Sequence, residues 1–158
     1  MREGREWEEC VHAYISSLPN VEVEQFGQAM LGPLSRRALF QKPTLLRWLP
    51  DFLLCSGDTF VWLEAKKSVG VTKYGNHSCE DASTAALHEL ATATGHAAVY
   101  AFWHQGETPG FMSIDTWINY REARPFMGSG SGTPFHVASH EHCQPTIQSS
   151  LRAKVGTS

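Results

Sequence analysis

Pro50-Asp51-Phe52-Leu53-Leu54-Cys55-Ser56-Gly57-Asp58-Thr59-Phe60-Val61-Trp62-Leu63-Glu64-Ala65-Lys66 is the stretch on which the fold turns. Two runs rich in Phe, Leu, Val and Trp, 51–55 and 59–66, flank the turn-forming pair Gly57-Asp58 and read as a β-hairpin. If that pair is the centre of a two-residue turn, Ser56 faces Thr59, Cys55 faces Phe60 and Asp51 faces Glu64. Directly opposed residues have Cβ atoms roughly 4.5–5.5 Å apart on one side of the sheet, close enough for both carboxylates to ligate one cation. Alternation along the strand adds Lys66 to the face of Glu64. Pro50, with its restricted φ, fixes the entrance to the first strand and so the aim of Asp51.

Two carboxylates at this separation repel when both are ionised, and a divalent cation reverses the resulting drive toward protonation. All-oxygen ligation favours Mg²⁺, with Mn²⁺ as a substitute. Such an ion binds phosphate oxygens and lowers the pKa of a water, while Lys66 is placed to hold the attacking water or a scissile phosphate. Either a Pro-Asp dipeptide or a Glu-x-Lys triplet alone reads as a turn or a solvated strand edge. Together, inside apolar strands, they read as a site.

Outward from the hairpin, residues 4–18 carry Trp7, Val11, Tyr14 and Leu18 at helical spacing, and Pro19-Asn20 ends the run. Glu8 falls on the flank of that stripe and Glu9 on the solvent side. Val21 to Glu24 alternates like a strand, and a short helix is expected around Arg37 to Phe40. After a loop over 67–77, Ser78 is expected to cap a helix running to about Thr94. Leu87, Leu90, Ala91 and Thr94 form its buried face, and Gly95 is its stop. Ala97 to Trp103 reads as a buried strand and Phe111 to Ile114 as a short one, followed by a helix capped by Asp115.

Pro50-Asp51 followed by Glu64-Ala65-Lys66 resembles the PD-(D/E)XK nuclease signature. Gly4-Arg5-Glu6-Trp7-Glu8 resembles the first-helix motif of archaeal-type Holliday-junction resolvases, in which a glutamate four residues after a glycine joins the metal site. The order of elements over about residues 4–120 is similar too. The resemblance implies an α/β, restriction-endonuclease-like core with a central mixed β-sheet flanked by α-helices. It implies Mg²⁺-dependent DNA cleavage and a homodimer, with Glu8, Asp51, Glu64 and Lys66 catalytic and the three acids holding the metal. Residues 1–127 are then a nuclease-like domain. Two features depart from the family: the segment before Pro50 is longer than in the compact resolvases, and the C-terminal tail has no counterpart. The chain length leaves no room for a separate target-recognition domain, so recognition of DNA structure or ends, on branched or duplex DNA, is expected over strict sequence specificity. The alternatives are a restriction-like or repair nuclease acting on linear duplex or ends, and a non-catalytic DNA-binding module on the same fold.

The 158 residues are 42% hydrophobic and 18% charged, with no apolar run of membrane-spanning length, so a soluble, cytoplasmic protein with no membrane partner is expected. A net charge of −3 weighs against DNA, but Arg36, Arg37, Lys42 and Arg47 lie in an acid-free segment before Pro50, and Lys66, Lys67 and Lys73 in another after it. Arg36, Arg37, Lys67 and Lys73 are the expected DNA contacts. Four dispersed cysteines suit free thiols. From Gly128 the composition turns to Gly, Ser, Thr and His, and residues 128–158 are expected to pack weakly or be disordered. His136, His140, His142 and Cys143, or His77 with Cys79, invite a zinc reading, but neither group has the spacing of paired ligands.

Overall fold

Gly57 and Asp58 turn the chain between β2 (Phe52–Ser56) and β3 (Thr59–Lys67). Gly57 has a φ of 63° in the first central position, a left-handed conformation that glycine adopts without strain. The expected register is present: Ser56 pairs with Thr59, Cys55 with Phe60 and Phe52 with Leu63, which sets Asp51 against Glu64. The fold is seen in a computed structural model that describes residues 6–26, 32, 34, 48–67, 76–103, 108–127 and 133–153, with the side chain of Lys67 excepted.

Around this hairpin a five-stranded mixed sheet is built in the order β1-β2-β3-β5-β6, with β1 at Glu22–Gln25, β5 at Ala97–Trp103 and β6 at Gly110–Ser113. Only β3 and β5 pair in parallel, and the crossover between them contains α2 (Asp81–Thr94). Alternation along the two central strands sends side chains to two cores. Val61, Leu63, Ala65, Val99 and Ala101 pack with Val11 and Ile15 of α1 (Glu6–Ser16) and Ile147 of α4 (Ile147–Arg152). Trp62, Tyr100 and Phe102 pack on the other face with Leu87 of α2 and with Ile114 and Trp117 of α3 (Ile114–Tyr120). Burial on both faces explains the uninterrupted apolar run from Phe60 to Leu63. Fully burying one such side chain contributes about 1.5–3 kcal/mol.

A second sheet, absent from the sequence reading, has the order β4-β8-β7, with β4 at Asn76–Glu80, β7 at Phe126–Met127 and β8 at Pro134–Ser139. It overturns two expectations. Ser78 is not a helix cap, because it pairs with Val137 inside β4; α2 begins at Asp81, and its N-cap Glu80 makes no side-chain capping bond. Nor is the tail loose over 133–153. Ala138 and Ser150 are buried, a capping box at Thr146 and Ser149 starts α4, and Phe111 and Gln144 exchange both backbone hydrogen bonds, at 2.8 and 2.7 Å. The cap of α3 is likewise Ser113, whose Oγ accepts from Thr116 N, and Asp115 lies in the first turn. Thr94 is exposed at the end of α2, where its Oγ1 accepts the Trp62 indole N–H at 3.1 Å. The short helix expected around Arg37 lies outside the described residues.

Candidate active site

The C-terminal half of β3 brings two kinds of residue to one place. Ala65 points into the α1 core, while Glu64 and Lys66 point to the α2 side. Asp51, one residue before β2, joins from the neighbouring strand, and its Oδ2 accepts a hydrogen bond from Ala65 N at 2.9 Å. From below the sheet, Trp7 donates its indole N–H to Ala65 O at 3.2 Å and so holds the first turn of α1 against the same strand. Glu8 follows directly in the chain, and its charge is felt at Asp51.

Burial, then the charge of Glu64 and a hydrogen bond with its carboxyl, then the charge of Glu8, push Asp51 well above the usual carboxylate range; only the bond from Ala65 N opposes them. Ionised Asp51 is thus disfavoured, and a cation held between it and Glu64 would reverse that preference. This all-oxygen donor set fits a hard divalent ion.

Lys66 Nζ lies 2.9 Å from Glu80 Oε2 and 3.5 Å from Glu64 Oε2. Burial by itself depresses its ammonium, but Glu64 and Glu80 outweigh that and hold it well above its ordinary value. Lys66 is therefore charged throughout the neutral range. Burial also works against the Glu80 carboxylate, and Lys66 more than offsets it, holding Glu80 below its usual range. On the far side, Ser83 Oγ donates to Glu64 Oε2 at 3.4 Å and lies 3.1 Å from the hydroxyl of Tyr100, which is also 2.9 Å from Thr84 Oγ1. Glu64 is thus oriented from both sides.

Among solved structures, Archaeoglobus fulgidus Hjc, a Holliday junction resolvase from an archaeal hyperthermophile, aligns with a TM-score of 0.59 over 94% of this chain and 96% of its own, at 10% identity. The two chains share a fold. No protein-family model matches the sequence, and no curated protein matches it. The likeness to the archaeal resolvase is therefore one of architecture: a mixed five-stranded sheet between helices.

Of the residues singled out in the sequence, Asp51, Glu64 and Lys66 come together, and Glu8 lies near enough for its charge to act on Asp51. Arg36, Arg37, Lys73 and the side chain of Lys67 lie outside the described residues. Among the described residues no helix is long and apolar enough to cross a membrane, and all four cysteines are free. Glu80, Ser83, Thr84 and Tyr100 were missed. The available signal was an acid, Glu80, immediately before an Ala-rich helix, which the reading of Ser78 as a cap obscured.

Proposed function

We propose that this chain is a metal-dependent deoxyribonuclease that cuts branched DNA. The observation that carries the reading is the convergence of Asp51 and Glu64 beside Lys66 at one end of β3, with the charge of Glu8 acting on Asp51; the architecture shared with an archaeal resolvase supports it. Asp51, Glu64 and Glu8 are the residues that would hold Mg²⁺ or Mn²⁺. When bound, that ion supplies Lewis-acid stabilisation of the phosphate and a water of lowered pKa. The chain's own part is electrostatic and positional. Glu64, braced by Ser83 and Lys66, keeps one orientation; Asp51 is aimed by Ala65 N; and the Lys66 ammonium offers a fixed positive charge to a phosphate oxygen that gains negative charge in the transition state. Arg36, Arg37, Lys67 and Lys73 bind the DNA backbone in this reading. Removing one such contact lowers the slope of log affinity against log salt by about 0.9. Each chain carries a single set of acids and a four-way junction needs two cuts, so the working unit is a symmetric homodimer, to be read from its mass in solution.

The test is a panel of a four-way junction and linear duplexes, incubated with wild-type and Glu64→Ala protein with and without Mg²⁺. Junction cleavage that requires both the ion and Glu64, with DNA binding retained by the variant, is expected. Cleavage without added metal, or full activity in the variant, refutes the mechanism. Cutting of linear duplex as readily as the junction removes the structure selectivity.

A further inference from the structure

Away from the acids, the second sheet and the turn after β8 bring together residues that the sequence keeps apart. We propose that His77 Nε2, His140 Nδ1 and Cys143 Sγ form a binding site for a borderline-soft divalent cation, Zn²⁺ by its chemistry, which ties β4 to the C-terminal segment. The three ligand atoms lie within 4.8 Å of one another, and the two histidine nitrogens are 2.7 Å apart. Around a tetrahedral Zn²⁺, with bonds of about 2.0–2.1 Å to nitrogen and 2.3 Å to sulfur, ligand atoms stand roughly 3.3–3.6 Å apart. Side-chain shifts of about 1 Å therefore convert the histidine–histidine hydrogen bond into coordination, with the backbone in place.

The surroundings hold the ligands in position. His77 is 3% exposed and stacked on Phe102 with ring centroids 4.2 Å apart. His140 and Cys143 are brought to one side by a single 3₁₀ turn (His140–His142), closed by Cys143 N donating to His140 O at 2.9 Å. Gly110 of β6 makes room for this turn: a Cβ there would stand 3.1 Å from Cys143 Cβ and 3.5 Å from His140 Cε1. His140 is exposed, which gives an ion access from solvent. Burial pushes the Cys143 thiol up to about 12, so an arriving ion must displace its proton. Two imidazoles and a thiolate select a softer ion than the all-carboxylate cluster does, so the two sites take different metals. β4 also carries Glu80, the partner of Lys66, and the ion would fix the strand that delivers it.

The probe is Co²⁺ added to the metal-free full chain. A thiolate-to-metal charge-transfer absorption and tetrahedral d–d bands should rise and saturate at one equivalent, whatever Co²⁺ the carboxylates also take, and both should be displaced by Zn²⁺. Cys143→Ser should lose the charge-transfer band, His140→Ala should weaken binding at least about tenfold, and Asp51→Asn should change neither. X-ray absorption at the zinc edge of the wild-type protein should give one sulfur and two imidazoles, a readout that does not depend on any variant folding. A wild-type protein without the charge-transfer band, a band that survives Cys143→Ser, or an all-nitrogen and oxygen shell overturns the site.

Discussion

The β2–β3 hairpin and the β4–β8 ladder both deliver acids to the same lysine, but by different physics. In the hairpin the partners are close in sequence, and one two-residue turn determines who faces whom, so Asp51 and Glu64 are set by local rules. In the ladder, residues 76–80 find 134–139 across more than a third of the chain, and Glu80 reaches Lys66 only because that long-range pairing has formed. Asp51 and Glu64 thus stand on the part of the molecule that needs least help to form. Glu80, which holds Lys66, stands on the part that needs the whole fold.

The comparison breaks first, and most heavily, at Glu64. If Glu64 holds the ion in the proposed mechanism, removing its carboxylate should cost on the order of 10³-fold in the cleavage rate, measured by single-turnover kinetics; a loss of less than tenfold would place the chemistry elsewhere. Next is Ile147 of α4, which joins the core under β3 from the C-terminal segment. Ile147→Ala should destabilise by about 2–4 kcal/mol in a urea titration, whereas a surface-bound tail predicts almost nothing. Smaller again is Glu80→Gln, which keeps the shape and removes the charge that holds Lys66. A loss of about 10–100-fold in kcat with KM little changed is expected if Glu80 positions Lys66; an unchanged kcat leaves Glu80 as a structural ion pair.

The same contrast explains what could be read from the sequence. The hairpin register, α1, the end of α2 at Gly95 and β5 were legible because each is written in a short window: a Gly-Asp turn, a helical stripe, a glycine, an apolar run; the mixed sheet between helices came only with the family resemblance. The gathering of Asp51, Glu64 and Lys66 followed from that register. β4 and β8 were not legible. Asn76-His77-Ser78-Cys79-Glu80 and Pro134-Phe135-His136-Val137-Ala138-Ser139 are each too polar to announce a strand, and they become strands by pairing with one another against α2. Ser78 was then free to look like a cap, and the glycine- and serine-rich residues before β8 made everything after them look loose. For the same reason the His77, His140 and Cys143 cluster falls between two groups that the sequence kept separate.

The mildest effect expected is on stability, and its sign is the informative part. Asp51 has its pKa raised in the folded chain, by burial first and then by Glu64 and Glu8, whereas in the unfolded chain it titrates normally. At low pH both states carry the proton and Asp51 contributes nothing. As pH rises past the unfolded value the unfolded chain gives up its proton first, so the metal-free fold loses stability until the folded pKa is passed, and the penalty then stays at its full size. Asp51→Asn removes the titration and keeps an oxygen for the hydrogen bond from Ala65 N. In chelator at neutral pH the variant should melt a few degrees higher than wild type, with the gap closing as pH is lowered toward the ordinary carboxylate range. Saturating Mg²⁺ should raise the wild-type midpoint and leave the variant's nearly unmoved. A variant that melts lower than wild type in chelator would mean that the hydrogen bond to Ala65 N outweighs the repulsion among the three acids, and the hairpin would then hold its acids together without help from a cation.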